Sequence, residues 1–196
     1  MSSSEYLQSI YPKAQFESHN MDAEYGIEIF HMKDETSGTQ LIFTEGCARR
    51  EQEVNGEENL DLKHIELYIH LPDYINIKLV NWPIDWMSRI ARVPQKNKTW
   101  FGYGDTLPAG NPPENITNDF QANHFILSKP IGLSETLKQT ISFKFLAIIP
   151  IFQTEFDYKM RNSHTVLFEK MEKKGVTELI DLYRSSTCRK RLLGMF

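Results

Sequence analysis

The segment from Asn81 to Pro94 constrains this chain more than any other stretch. Trp82, Trp86 and Ile90 recur one helical turn apart with Met87 and Val93 beside them, the pattern of an amphipathic helix seated on a sheet by one apolar stripe. Asn81 suits an N-cap, Pro83 is tolerated in a first turn whose amide hydrogens lack partners, and Pro94 is expected to stop the helix. Asp85 and Arg89 are spaced i,i+4 with the acid first, and belong to the opposite, solvated side. With both indoles buried, replacing Trp86 by alanine is expected to cost about 3–5 kcal/mol.

Leu62 to Leu71 is the clearest strand. Ile65, Leu67, Ile69 and Leu71 alternate with His64, Glu66, Tyr68 and His70, so one face reads as core and the other as polar. Gly26 to Met32 and Gln40 to Thr44 read as a hairpin across the polar turn Asp34 to Gly38. His124 to Ser128 is a further strand. Ile141 to Ile149 passes from alternation to an unbroken apolar run, as a central strand covered on both faces does, and Pro150 is expected to end it. Residues 1–25 are weakly patterned, with at most a short helix from Glu5 to Ile10, and Pro94 to Ala122 reads as a long loop. His164 to Lys174 is a helix with Leu167, Phe168 and Met171 inward, stopped by Gly175. Val176, Leu179, Ile180 and Tyr183 at i, i+3, i+4 and i+7 mark a last helix. This order of elements gives an α+β fold, a mixed or mostly antiparallel sheet with helices packed on one face. Of 196 residues 40% are hydrophobic and 12% aromatic, enough for a real core, and with no linker or repeat the whole of 1–196 reads as a single domain.

The net charge of −4 conceals an asymmetry. Residues 1–60 carry 4 basic and 12 acidic side chains, residues 61–169 carry 11 of each, and residues 170–196 carry 7 basic and 3 acidic. An acidic surface repels nucleic acid and steers a basic protein towards itself, while the alternative is a solvated face that only keeps the chain soluble. The basic tail, Arg184 with Arg189, Lys190 and Arg191, follows the last expected helix and is read as complementing its dipole rather than binding nucleic acid. No apolar run reaches the length of about 18 residues that marks a membrane span, and no signal segment opens the chain, so the cytoplasm is the expected location. Cys47 and Cys188 lie far apart and outside any CxxC pattern, which argues for reduced thiols.

Few residues suggest chemistry. His64, Glu66, Tyr68 and His70 project to one side of a strand, where a His/Glu pair can share a metal. His64 and His70 are six residues apart, however, and at about 3.3 Å per residue they stand roughly 20 Å from each other, too far to hold one ion. A site there needs Glu66 with one histidine and ligands from elsewhere. Gly102-x-Gly104 lacks the βα context of a phosphate loop, and no nucleophile elbow or zincin motif occurs. No catalytic residue, cofactor or metal ligand is therefore expected. What remains is a recognition surface. Its candidate members are Glu51, Glu53, Glu57, Glu58 and Asp61 of the acidic loop, expected to be exposed, with Tyr103 and Asp105 of an aromatic loop that also carries Trp100 and Phe101.

Six segments form a set: Trp82-Pro83 leading to Ile90-Ala91-Arg92, Asn97-Lys98-Thr99-Trp100-Phe101 with Gly104-Asp105, Pro108 to Pro113, Asn123 to Pro130, Phe145 to Ile151 with Glu155, and Gly175 to Ile180. Together they resemble the Suppressor of fused domain family in its bacterial, stand-alone form. The resemblance is strongest over residues 62–186. It implies a non-enzymatic interaction module. In animals such a domain is the N-terminal half of a regulator that sequesters transcription factors, and this chain is expected to end after that first half. Stand-alone members imply an immunity role, neutralising a toxin partner that the acidic surface suggests is basic. The alternatives are a metal-dependent enzyme using the His64/Glu66/His70 face, and a general scaffold or regulator.

Overall fold

The computed structural model describes residues 1–133 and 142–188. Ile141, the expected start of a strand, and Arg189, Lys190 and Arg191 of the basic tail lie outside the described residues. The described residues form seven strands: β1 (Gln15–Asp22), β2 (Ile27–Asp34), β3 (Thr39–Glu45), β4 (Ile65–Leu71), β5 (Thr106–Pro108), β6 (His124–Ser128) and β7 (Lys144–Ile151). They make one sheet in the order β1-β2-β3-β4-β7-β6-β5, antiparallel throughout except for the parallel pair β4 and β7. Among the described residues the helices are α1 (Ser3–Ile10), α2 (Trp82–Ala91), α3 (Val93–Asn97), α4 (Gln153–Arg161) and α5 (His164–Glu172).

The mixed sheet and the α+β class agree with the sequence pattern. The helices, expected on one face, cover both. Ile27, Ile29, Ile42, Leu67, Ile69, Leu146 and Ile148 pack with Ile84, Met87 and Ile90 of α2 on one side. Their alternating neighbours Met32, Leu41, Phe43, Tyr68, Phe145 and Ala147 pack with Tyr6 and Leu7 of α1 and Leu167 and Met171 of α5 on the other. A sheet buried on both faces holds apolar or satisfied polar residues at every central position, so the alternation in β4 does not mean that its second face meets water.

The buried stripe of α2 is Pro83, Ile84, Met87, Ile90 and Ala91, while Trp82 and Trp86 flank it half-buried. Trp86 rests on Phe125 with ring centroids 5.2 Å apart, and the Arg89 guanidinium lies 4.9 Å from the centroid of the Trp86 ring. The expected pairing of Arg89 with Asp85 gives way to this stacking, and Asp85 instead accepts from Asn81 Nδ2 at 2.7 Å. Pro94 does not end the helical path. It occupies the first turn of α3, where a missing N–H costs nothing. Pro150 likewise sits inside β7, beyond Ala147 where the register with β4 stops.

Two further expectations are overturned. Gln15–Asp22 forms a polar edge strand that the apolar pattern did not mark. Val176 to Tyr183 is not helical: Leu179 bridges His70 in parallel and Ile180 N donates to His70 O at 3.0 Å, filling the side of β4 that β7 leaves past Tyr68. Ile180 is buried there, whereas Tyr183 is 85% exposed, so no helical stripe forms.

Candidate functional site

The acidic segment is anchored rather than loose. Short turns at Cys47–Arg49 and Glu57–Leu62 fold it back, and Leu62 is fully buried beneath it. Gln52 makes the decisive connection: its backbone N–H donates to Lys63 O at 2.7 Å and its Nε2 donates to Leu62 O at 2.7 Å and to Phe101 O at 3.2 Å. Its Oε1 accepts from Phe101 N at 2.8 Å. One neutral side chain thus clips the acidic segment to the aromatic loop. Nothing in the sequence marks Gln52, because its role depends on a contact between residues 49 positions apart.

The carboxylates of Glu51, Glu53, Glu57, Glu58 and Asp61 all lie on exposed residues, as expected. Glu51 is paired with Lys63 at 2.6 Å, and the lysine's hydrogen bond and charge hold its carboxyl below the usual range. Glu53, Glu57, Glu58 and Asp61 form no ion pair with another described residue. Tyr103 is half-buried, with Lys129 Nζ 4.5 Å from its ring centroid. Burial, and after it the Asp61 carboxylate, pushes its phenol up to about 12.

Asp105 has a different occupation. Its Oδ2 accepts from Gly102 N at 2.7 Å and its carbonyl accepts from Leu127 N at 2.9 Å, so it ties the aromatic turn to β6. Gly104 completes the turn at φ +82, where a Cβ would strike the His164 ring. Between the acidic segment, α3 and the aromatic loop lies a cavity of about 530 Å³ walled by Glu51, Gln52, Glu53, Gln95, Lys98 and Trp100, among others.

On the His64/Glu66/His70 face the polar atoms of Glu66 and His64 are engaged within the fold. Glu66 is 3% exposed and its oxygens are already taken, by the Thr44 hydroxyl at 2.6 Å and the amides of Gly46 and Ala48 at 2.9 and 3.1 Å. Burial raises its carboxyl to about 7 against the opposing pull of those donors. His64 Nδ1 bonds the Ala48 carbonyl at 2.8 Å. A different group, Glu17, His19 and His31, does bring ligand atoms within 4.8 Å of one another. The sequence did not single it out, because it needs the pairing of β1 with β2. Burial raises the thiol of Cys47 above its ordinary range, with the Glu66 carboxylate adding to the effect, so it is a poor nucleophile. Among the described residues no helix is long and apolar enough to cross a membrane.

The sequence profile of the Suppressor of fused protein (SUFU) family matches residues 23–185. The chain belongs to the SUFU family. The matched region runs from the β1–β2 turn to the segment that bridges His70, and so takes in both the clip and the cavity. Solved SUFU structures share the fold. A SUFU homologue from Neisseria gonorrhoeae is 17% identical with a TM-score of 0.70, covering 95% of this chain and 94% of its own. The structure of a Sufu–Fu complex is 13% identical with a TM-score of 0.62, covering 93% of this chain and 89% of the other. Drosophila Suppressor of Fused is 12% identical with a TM-score of 0.58, and this chain spans half of its length. No curated protein sequence matches significantly.

Within the SUFU-matched region two more carboxylates are fully buried, neither of them recognisable from the sequence. Glu155 accepts from Arg184 through both oxygens at 2.8 and 3.0 Å and from the amides of Phe152 and Thr187. Burial pushes its carboxyl up, but Arg184 and the amides outweigh this and hold it below the usual range. Arg184, expected to serve a helix dipole, is therefore the partner of a buried acid. Glu178 accepts from the amides of Ile131, Gly132 and Leu133 at 2.7–3.1 Å and so fixes the loop after β6.

Proposed function

We propose that this SUFU-family chain is a non-enzymatic protein-binding module of the cytoplasm, an immunity-type protein that neutralises a toxin partner presenting a basic surface. The observation that carries this reading is the Gln52 clip, which fixes exposed carboxylates and half-buried aromatics side by side. Unpaired carboxylates steer a basic partner, and amphipathic aromatics such as Trp100 and Tyr103 supply the contacts that hold it. A rigid scaffold beneath such loops lowers the ordering cost of binding. The polar groups buried nearby are spent on structure: Glu66 on the turn at Gly46, Asp105 on its own loop. That leaves the surface suited to recognition rather than to moving protons. The solved Sufu–Fu complex supports the use of this fold for binding proteins.

The experiment is co-expression of the chain with the toxin domain encoded by the adjacent gene, scored by cell survival and by co-purification. Survival with a stable complex is expected. A chain that neither protects nor co-purifies overturns the immunity reading, and catalytic turnover of the toxin by substoichiometric chain overturns the non-enzymatic one.

A further inference from the structure

β1 and β2 pair so that Glu17 stands directly opposite His31. The register then slips between Ser18 and Asn20, leaving His19 as the extra residue of a bulge. Bulges re-aim side chains, and here Glu17, His19 and His31 each offer a ligand atom within 4.8 Å of the others. His19 Nε2 lies 3.8 Å from Glu17 Oε2, is closed off from solvent and has no hydrogen-bond partner among the described residues. A ring nitrogen left unsatisfied in this way costs free energy unless something else occupies its lone pair.

His31 is oriented from behind. Gln40 Nε2 donates to the carbonyls of Pro72 at 3.1 Å and Ile75 at 3.0 Å, which fixes the amide so that its Oε1 faces His31 Nε2 at 3.1 Å. A carbonyl oxygen can only accept, so Nε2 carries the proton and Nδ1 keeps the free lone pair. An imidazole whose second nitrogen is held by an outer hydrogen bond is the usual condition of a metal-bound histidine.

We propose that Glu17, His19 and His31 form a binding site for a divalent ion of the zinc class, with one coordination position open. Two imidazoles and a carboxylate suit Zn²⁺ and Co²⁺ rather than Mg²⁺ or Ca²⁺, which take oxygen ligands. Bonds of about 2.0–2.1 Å set tetrahedral ligands roughly 3.4 Å apart, so the three atoms must draw in modestly. Glu17 is exposed and His19 half-buried, and both can turn, while His31 stays fixed. Three protein ligands leave the fourth tetrahedral position to water or to a ligand brought by another molecule.

The test is titration of the metal-free chain with Co²⁺, read by its visible ligand-field bands and confirmed by Zn²⁺ displacement. One ion per chain is expected. His19→Asn and Glu17→Gln, both on a polar edge strand, should weaken binding by more than the roughly 10- to 100-fold that loss of an outer-shell partner costs, while His164→Ala, on exposed α5, should not. Paramagnetic shifts of the His19 and His31 ring resonances in the unsubstituted chain give the same answer without mutation. Absence of saturable binding, or binding unaffected by both edge-strand substitutions with shifts at other histidines, overturns the proposal.

Discussion

Gln52 and Phe101 exchange two hydrogen bonds, side-chain amide against backbone amide, and so join the acidic segment to the aromatic loop. Replacing Gln52 by leucine keeps the bulk and removes every polar partner, leaving the Phe101 N–H and the Phe101 and Leu62 carbonyls unpaired. Each buried group so orphaned costs about 1–3 kcal/mol. The variant should unfold at lower urea, and amides of residues 46–62 and 99–105 should exchange faster together. An unchanged midpoint would show that water replaces the clip without loss.

Glu66 should give the chain an inverted response to pH. Its folded carboxyl titrates at about 7 against an ordinary 4.5, so between those values the folded state holds a proton that the unfolded state has released. Stability therefore falls as pH rises through that window, by at most about 3 kcal/mol. The protonated form is accommodated because Oε2–H can donate to Thr44 Oγ1, while Oε1 keeps the amides of Gly46 and Ala48. Glu66→Gln reproduces that arrangement at every pH. Thermal melts from pH 5 to 8 should decline for the parent chain and lose most of that decline in the variant; parallel curves would remove Glu66 as the cause.

The Glu155–Arg184 pair behaves in the opposite sense. Its carboxylate is held below the ordinary value, so its contribution is present above pH 4.5 and is lost as pH falls through the lowered value. Arg184→Ala leaves a fully buried carboxylate with amide donors but no counter-charge, and breaking a buried pair in this way typically costs about 3–5 kcal/mol. Adding Glu155→Gln to Arg184→Ala should restore part of that loss, measured as a coupling in a double-mutant cycle. Additive losses would mean that the two groups do not act as a pair.

The contrast between these sites and the sheet explains what the sequence made legible. Ile65, Leu67, Ile69 and Leu71 announce β4 because a two-residue period survives whatever packs on it. The fate of the intervening Glu66 and Tyr68 depends on α1 and α5 covering that side of the sheet, a relation between distant segments with no local signature. β1 was missed for the opposite reason: an exposed edge strand carries polar residues on both sides. Val176 to Tyr183 had a helical period by composition alone, and the free edge of β4 together with the hold of Glu178 on residues 131–133 won over it. The acidic and aromatic candidates were each visible as patches. Their adjacency was not, since it rests on the hydrogen bonds of Gln52 to Phe101.

That adjacency separates the roles of charge and contact in the proposed recognition. Glu53, Glu57 and Glu58 are exposed and form no described ion pair, whereas Glu51 is tied to Lys63 and Asp105 to its own turn. Reversing Glu53, Glu57 and Glu58 to lysine should slow association with a basic toxin by about tenfold or more at low ionic strength and flatten its salt dependence, because long-range steering is what those charges supply. Tyr103→Ala should leave the association rate nearly unchanged and speed dissociation, since removing a contact made only in the docked complex acts on its lifetime. Part of the tyrosine's effect is structural, as Lys129 stacks on its ring, so a Tyr103→Phe variant that keeps the ring isolates the hydroxyl. Stopped-flow binding at two salt concentrations reads both rates. If the triple lysine variant associates as the parent does, the acidic segment serves solubility alone, and the docking face must lie away from the loop that Gln52 holds.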